Sequence, residues 1–331
     1  MSEKRKSDHI ELAFESQINN AENYGFYYEP LLGTHQEVDL SCEAFGFNFD
    51  APLWVSSMTG GTEKAKFINE RLAKTCEKFG LGMGLGSCRP LLDSDDRLED
   101  FAVRKLIGER PLFANLGIAQ LEQLVALNQT SKINELIKKL QADGLIIHVN
   151  PLQEALQHEG DKFKHPPIVT IEKVIEKLDQ TKIIVKEVGQ GFGPNSLKLL
   201  LDLPVSGIEL SGFGGTNFSF LEHSRHTKRD SAKLDSLLDF SYIGHTAQEM
   251  LSWINTYTAQ NGLYKKKSLI ISGGIKNVIQ GYGLREQSEL NALIGYASKF
   301  LKPAMHSQEQ LDEFVKAQVA SLSLCKNYLR R

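Results

Sequence analysis

Four polar side chains follow directly on an apolar run at residues 144–147. They are an imidazole, two amides and one carboxylate, at His148, Asn150, Gln153 and Glu154. An apolar run of this length is typical of a buried strand, so these side chains should gather where the strand ends. Only the carboxylate is a usual general acid or base. The group raises the question of what reaction needs amides and an imidazole in place of an acid–base pair.

A second candidate for chemistry is Lys186, in the apolar run 182–189. Because side chains alternate along a strand, Ile184 and Lys186 share one face, and Val185 and Glu187 share the other. A charged ammonium inside a fold is unfavourable unless an anion or a strong acceptor meets it. Lys186 is therefore either half of a buried Lys–Glu pair or a lysine that faces a ligand, as a Schiff base or beside an anionic cofactor edge.

Two glycine-rich turns end two further apolar runs, with the sequences SGFGGTN at 211–217 and SGGIKN at 272–277. Glycine lets the backbone approach a phosphate closely, and successive N–H groups form a nest for its oxygens. The hydroxyl groups of Ser211 and Thr216 add hydrogen-bond donors. Together the turns predict a phosphate site, whereas the stretch GQGFGP at 189–194 is more typical of a plain loop.

The elements that must position these groups are short apolar runs that end in small or polar residues. Most are followed by a helical pattern, such as residues 62–80, which ends at Gly80. Apolar strands that alternate with helices indicate parallel strands buried on both faces. The pattern predicts a (β/α)₈ TIM barrel of the α/β class, with a doubly wound open sheet as the alternative. The eight runs cover residues 51–61, 80–87, 111–117, 144–150, 182–189, 206–212, 268–274 and 291–297.

We expect a single domain across residues 1–331, because no Pro-rich or Ser-rich linker interrupts the chain. It would consist of an N-terminal extension (1–50), the barrel (51–305) and a C-terminal helix (306–331). The connection 213–267 is longer than one helix and predicts an insertion or a mobile loop. The basic segment at residues 3–10 lies outside the barrel pattern, and N-terminal tails of this kind are commonly disordered.

In a TIM barrel the carboxyl ends of the strands meet at one mouth, where active sites lie. The predicted strand ends carry a ring of polar and small residues around that mouth. They are Thr59, Gly60, Gly61, Ser87, Cys88, Arg89, Asn115, His148, Asn150, Lys186 and Ser211.

The composition excludes several classes of protein. The chain has 331 residues, of which 41% are hydrophobic and 24% charged, and a net charge of −3, so no basic excess favours nucleic acid or an anionic membrane. Its four cysteines are widely spaced and form no C-x-x-C pair, which argues against structural zinc and a disulfide framework. The N-terminus has no apolar signal segment, and no apolar run is long enough to span a membrane. We expect a soluble, cytoplasmic protein.

Eight short motifs carry a resemblance to a known family. In chain order they are RKSDHI, SSMTGGT, GLGSCRP, ANLG, HVNPLQE, KEVGQGFG, SGFGGTN and SGGIKN. In this order the chain resembles the type 2 isopentenyl-diphosphate isomerases, flavin-dependent TIM-barrel enzymes of isoprenoid biosynthesis, from residue 5 to about residue 305. Other FMN barrels share the glycine turns, but not RK, MTGG and HVNxxQE together.

The resemblance implies FMN, NADPH as the reductant that keeps it reduced, and Mg²⁺ on a small diphosphate substrate. Isopentenyl and dimethylallyl diphosphate would be interconverted, with reduced FMN as the acid and base. Gln153 and Lys186 would be the catalytic residues, and Glu154 would bind the metal. FMN would be held by Thr59, Gly60, Gly61, Ser87, Asn115, Lys186, Ser211, Thr216, Gly273 and Gly274. The substrate would be held by Arg5, Lys6, Arg89, His148, Asn150 and Gln153.

Physical chemistry agrees with these implied roles. Arginine and lysine suit a diphosphate, and Mg²⁺ needs only one or two carboxylates besides phosphate oxygens and water. Lys186 would face the N1–C2 edge of the flavin, where negative charge accumulates on reduction. The resemblance also implies a homo-oligomer, a tetramer or larger, with no nucleic-acid or membrane partner.

The chain departs from the family at three places. Cys88 stands where the family has a glutamine, Phe218 stands at an aromatic position that is often tryptophan, and residues 278–300 diverge from an Ala/Gly-rich helix. Two other functions stay open. One is an FMN-dependent 2-hydroxy-acid oxidase, which needs a base, typically a histidine after the seventh strand, where residues 272–283 have none. The other is a non-catalytic barrel that binds a phosphorylated ligand.

Overall fold

Eight parallel strands close into a barrel, each hydrogen-bonded to the next along the chain, and the last pairs with the first. The computed structural model describes residues 2–58, 61–157, 159–178, 180–225 and 237–331. The closed sheet confirms the predicted TIM barrel and excludes the doubly wound alternative. The strands are β1 Leu53–Val55, β2 Gly82–Gly84, β3 Leu112–Gly117, β4 Gly144–His148, β5 Lys182–Lys186, β6 Gly207–Glu209, β7 Ser268–Ser272 and β8 Asn291–Tyr296.

Helices connect the strands around the barrel. The helix predicted over residues 62–80 is confirmed, because the Thr62 side chain accepts the Ala65 N–H and the helix ends at Gly80, whose φ is 65°. Within the described residues, no helix is both long and apolar enough to cross a membrane. Within the described residues, the α-helices are α1 Ser2–Glu11, α2 Glu63–Phe79, α3 Arg104–Ile107, α4 Ile118–Ala126, α5 Ser131–Leu140, α6 Pro151–Leu156, α7 Pro167–Lys177, α8 Pro194–Asp202, α9 Phe218–Arg225, α10 Ala247–Gln260, α11 Val278–Gln287, α12 Ser298–His306 and α13 Gln308–Tyr328.

The base of the barrel is filled by apolar side chains. A hairpin of two short strands, Cys42–Ala44 and Phe47–Phe49, inserts Phe45 against Trp54 at a ring distance of 6.0 Å. The hairpin lies at the amino ends of the strands, since the Phe45 N–H donates to Ser268, the first residue of β7. The inward-facing apolar residues of the strands are Trp54, Phe113, Ile146, Ile184, Ile270 and Leu293. This packing leaves only the opposite mouth open for polar groups.

The N-terminal segment differs from the expected disordered tail. Residues 2–11 form α1, and further along Tyr27–Tyr28 pairs antiparallel with Leu329–Arg330. The long connection after β6 contains α9, a short 3₁₀ helix at Asp239–Tyr242 and α10, so the predicted insertion is confirmed. Residues 226–236 of this connection lie outside the described residues.

Candidate functional site

A polar layer replaces the apolar one at the carboxyl ends of the strands. In register, His148 on β4 lies opposite Lys186 on β5, and Lys186 lies opposite Glu209 on β6. Because each is two residues beyond an inward-facing position, these side chains point into the barrel. A cavity of about 300 Å³ borders Lys186, Glu209 and the two glycine-rich turns. Two members of the predicted ring, His148 and Lys186, therefore lie in this layer.

One end of the cavity is built from the two glycine-rich turns pressed together. Gly273 and Gly274 have φ values of 82° and 68°, and a Cβ at either would collide with the backbone of Gly212 or Phe213. These positions therefore need glycine, both for the left-handed backbone and for the close approach. Ser211 and Thr216 also line the cavity, as expected for a phosphate site.

Two lysines that the sequence reasoning missed lie at this end. Lys276 and Lys299 line the cavity, and the Lys299 ammonium donates to the Lys276 carbonyl at 2.7 Å. Burial lowers the pKa of Lys299. Lys276 follows the SGGI turn directly, so its place was visible in the sequence. Lys299 begins a helix in the stretch that diverges from the family pattern, and no motif marked it.

Lys186 faces the cavity and has no carboxylate partner. Among the described residues no ion pair joins it to an acid, and its ammonium donates to the Glu187 carbonyl at 2.7 Å. The Glu187 carboxylate instead accepts the N–H groups of Gly189, Gln190 and Gly191 at 2.5 to 2.8 Å. Burial raises the pKa of Glu187. The interpretation as a buried Lys–Glu pair is therefore wrong, and the Lys186 side chain instead borders the cavity.

His148 is held in one tautomer by Asn115. The Asn115 amide donates to the Leu85 carbonyl at 3.0 Å, which leaves its oxygen, 2.7 Å from His148 Nδ1, as an acceptor. His148 must therefore donate through Nδ1–H and keep a lone pair on Nε2. Burial and the positive charge of Lys186 lower the pKa of His148 to about 3. The imidazole is neutral at physiological pH.

The amides and the carboxylate after β4 form one hydrogen-bonded group. Asn150 donates to Glu154 at 2.8 Å and to Gln153 at 3.2 Å. The second Glu154 oxygen accepts the N–H of Asp161 at 2.8 Å. Helix α6 begins at Pro151, so its first turn carries Gln153 and Glu154 beside the strand end.

A buried acid reaches this group from a distant part of the chain. Glu222 on α9 is 4% exposed, accepts from the Gln153 amide at 3.3 Å and pairs with Arg225 at 2.6 Å. The sequence reasoning missed it, because it stands within the long insertion and only the folded chain brings it to Gln153. The structure thus adds a carboxylate beside the amide that the opening motif left without one.

Comparison with known proteins places the chain in a family, although no protein-family model matches it. It is 32% identical to the isopentenyl-diphosphate delta-isomerase of Rickettsia africae over 97% of this chain and 91% of that protein. It is 34% identical to that of a Synechococcus strain over 97% of this chain and 90% of that protein. The chain belongs to the isopentenyl-diphosphate delta-isomerase family.

Solved structures with the same fold are more distant from this family member. A mandelate oxidase variant with an FMN adduct matches with a TM-score of 0.57 and 13% identity, over 91% of this chain and 82% of that chain. A flavocytochrome b2 variant with bound pyruvate matches with a TM-score of 0.61 and 14% identity, over 92% and 72%. At these identities the likeness shows the fold alone.

Two of the predicted diphosphate ligands, Arg5 and Lys6, are exposed on α1. Within the described residues, no hydrogen bond or ion pair joins α1 to the strand ends. Arg89 is at the mouth, where it pairs with Asp161 at 3.2 Å. Thr59 and Gly60 lie outside the described residues.

The three departures from the family pattern differ in their structural surroundings. Cys88 is fully buried, its thiol donates to the Gly86 carbonyl at 3.3 Å, and burial raises its pKa to about 12. It therefore offers no ligand contact of the kind a glutamine could make. Phe218 lines the cavity, so an aromatic surface is present there without an indole donor. The divergent stretch 278–300 forms α11, β8 and the start of α12.

Proposed function

We propose that this family member is an isopentenyl-diphosphate delta-isomerase that interconverts isopentenyl and dimethylallyl diphosphate with reduced FMN. One arrangement carries the proposal. The mouth of the barrel combines a ligand-facing Lys186 and a double glycine turn with the amide group around Gln153. Lys186 and the glycine turns would suit an anionic cofactor. The amide group would suit a substrate that needs no strong protein base.

The cavity fits FMN by the chemistry of its lining. It is lined by buried polar atoms that have no hydrogen-bond partner in the part of the chain that the structure describes: the hydroxyl oxygens of Ser56, Ser57 and Tyr296, and one carboxylate oxygen of Glu209. Buried polar atoms nearly always have partners, so such a group favours a polar ligand. We propose that Lys186 contacts the flavin ring. The phosphate would lie against the turns, with Ser211, Thr216, Gly273, Gly274, Lys276 and Lys299.

The other cofactor residues of the family pattern would act around this cavity. We propose that Gly61 and Ser87 contact FMN from the ends of β1 and β2. Asn115 has both its amide groups engaged, by Leu85 and His148, so its contribution would be to hold the imidazole. NADPH would serve as the reductant.

The proposed mechanism leaves proton transfer to reduced FMN, which supplies an acid and a base when it is bound. Gln153 would lie over the double bond, with its amide oriented by Glu222 at 3.3 Å. Proton transfer to an alkene passes through cationic character, and a neutral amide there avoids a tight ion pair. Lys186 would stabilise negative charge on the cofactor through its ammonium.

The diphosphate would be held where His148, Asn150 and Arg89 converge. Arg89 is 59% exposed in its pair with Asp161, so exchanging that carboxylate for a diphosphate has little energetic penalty. Glu154 would bind Mg²⁺, since each of its oxygens retains a free lone pair. Arg5 and Lys6 would contact the diphosphate from α1, either of the same chain or of another subunit in a tetramer or larger homo-oligomer.

Two broader expectations accompany this function. We propose that the whole chain acts as one domain, because the N-terminal hairpin fills the barrel and the Tyr27–Tyr28 strand pairs with Leu329–Arg330. All four cysteines are free, which agrees with a reducing compartment such as the cytoplasm. The 2-hydroxy-acid oxidase alternative is disfavoured, since the turn at 273–277 has no histidine to act as a base.

The direct test is incubation with isopentenyl diphosphate, FMN, NADPH and Mg²⁺, followed by analysis for dimethylallyl diphosphate. We expect product only when the flavin is reduced, and no net oxidation of NADPH per turnover. A matched reaction without reductant controls for oxidised flavin. Reduction of the flavin by lactate or mandelate without NADPH, with no isomer formed, would replace the proposal by the oxidase.

A further inference from the structure

Glu209 is a buried acid that the proposed mechanism does not use. It ends β6, is 0% exposed, and lies beside Lys186 in the inward-facing layer. Its first carboxylate oxygen accepts from the Ser272 hydroxyl at 3.2 Å, and that hydroxyl accepts the Ser211 N–H at 3.0 Å. Its second oxygen has no hydrogen-bond partner among the described residues, although it is buried against the cavity. One carboxylate oxygen of Glu209 therefore has a hydrogen-bond partner, and the other has none among the described residues.

An unused carboxylate oxygen in a protein interior is unfavourable, because burial removes the water that would hydrate it. Among the described residues no lysine, arginine or histidine forms an ion pair with Glu209. The hydroxyl groups of Ser56, Ser57 and Tyr296, which also lack a partner within the described residues, line the same cavity. A ligand that satisfies all four must donate to a carboxylate and both donate to and accept from hydroxyls. A chain of hydroxyl groups has this chemistry.

We infer that Glu209 is a positioning residue that accepts a hydrogen bond from the polyol chain of the bound cofactor. This inference rests on the proposed function, in which the ligand is FMN and the polyol is its ribityl chain. A phosphate cannot fill this role, because its oxygens only accept and would be repelled. Lys186 is a hydrogen-bond donor, so it would contact an acceptor edge of the flavin ring. The N3–H group of the ring is a donor that Glu209 could contact in place of the polyol chain, and the experiment distinguishes the two.

The experiment measures flavin dissociation constants by fluorescence quenching for FMN, for riboflavin and for lumiflavin, which lacks the ribityl chain. Glu209→Met keeps the length of the side chain and removes the acceptor. We expect it to weaken FMN and riboflavin binding about tenfold to hundredfold, the effect of one hydrogen bond to a charged group, and to leave lumiflavin unchanged. Glu209→Gln, which keeps an acceptor oxygen, should fall between Met and wild type.

A second readout separates this role from a purely structural one. Without flavin, Glu209→Gln should melt at or above the wild-type temperature, because it removes an unpaired buried charge and retains an acceptor for Ser272. Asp100→Asn is the matched control. It also neutralises a buried carboxylate, 6% exposed, but lies outside the cavity lining and should not change flavin affinity.

Each outcome bears on the inference or on the proposed function. Equal weakening of lumiflavin and FMN would assign Glu209 to the ring and overturn the polyol contact. Unchanged affinity in Glu209→Met, with normal FMN binding by the wild type, would overturn the inference and leave the proposed function standing. If the wild type binds no flavin at all, both are overturned. A Glu209→Gln protein that melts well below the wild type, with unchanged flavin affinity, would make Glu209 structural.

Discussion

At the scale of single residues, the tautomer of His148 has a consequence for substrate binding. Asn115 fixes the proton on Nδ1, so Nε2 carries only a lone pair in the free protein. A diphosphate has only acceptors, so a hydrogen bond from Nε2 requires a second proton on the ring. We therefore predict that diphosphate binding takes up about one proton at pH 7.5. Calorimetry with isopentenyl diphosphate and flavin-free protein, in buffers of different ionisation enthalpy, measures it.

The control for this prediction is His148→Gln, whose amide can donate without a proton. Binding enthalpies that follow the buffer equally in both proteins would assign the proton to another group. Retained binding of isopentenyl diphosphate without any proton uptake in the wild type would remove His148 as a donor to the diphosphate.

The same residue predicts a dependence of stability on pH. The folded pKa of His148 is about 3, below the ordinary value of about 6.5 in an unfolded chain. Between these values the unfolded state binds more protons, so the free energy of unfolding falls as pH decreases from 6.5 toward 3. The slope should be at most about 1.4 kcal/mol per pH unit. Denaturant unfolding at pH 7 and pH 5 should give a smaller difference in His148→Gln, and an identical difference would contradict the assignment.

The contact between Gln153 and Glu222 predicts a kinetic effect. In Glu222→Gln the acceptor loses its charge, so the Gln153 amide is oriented less firmly over the double bond. We expect kcat to fall about tenfold to hundredfold, with a much smaller change in KM. Steady-state kinetics with isopentenyl diphosphate measures both. Arg225→Ala removes the other partner of Glu222 and is the comparison, and an unaltered kcat in Glu222→Gln would end the orienting role.

At the scale of elements, the loop after β5 depends on one carboxylate. Glu187 accepts three successive N–H groups, from Gly189 to Gly191, and Gly189 borders the cavity. In Glu187→Gln the amide cannot serve three donors as well, so we predict a loss of about 1–3 kcal/mol in stability and weaker flavin binding. Thermal unfolding with and without FMN measures both. The exposed Glu172→Gln on α7 should change neither, and a Glu187 variant that behaves like it would refute the prediction.

The elements were predictable where a local pattern determines them. The apolar runs predicted all eight strands, and the alternation of side chains along 182–189 predicted that Lys186 faces inward. Both features depend only on residues that are close in the sequence. The positions of Glu222 and Lys299 depend on how α9 and α12 fold back on the mouth, which no local pattern records. Likewise, the sequence did not predict α1, because residues 3–10 lie outside the barrel pattern.

At the scale of the whole molecule, the alternation of strands and helices was sufficient to predict the barrel. It did not predict which side chains meet inside the barrel. The hydrogen bonds that define the site join His148 to Asn115, 33 residues earlier, and Gln153 to Glu222, 69 residues later. These contacts depend on which strands pair and on how α9 packs against α6, so a sequence pattern can name the participants only one element at a time. The resemblance to a family supplied the predicted set as a whole.

The two ends of the chain are joined through Phe26, and this predicts how the N-terminal segment is held. Phe26 is 5% exposed, stacks on Tyr282 of α11 at 5.4 Å and lies beneath the Arg331 guanidinium at 5.4 Å. Phe26→Ala should destabilise the protein by about 3–5 kcal/mol and release residues 2–25 to trypsin. Tyr27→Ala, at a side chain 70% exposed, should do neither. Denaturant unfolding and the rate of cleavage at Lys4 and Lys6 measure the effect, and equal cleavage rates in both variants would show that the segment is held elsewhere.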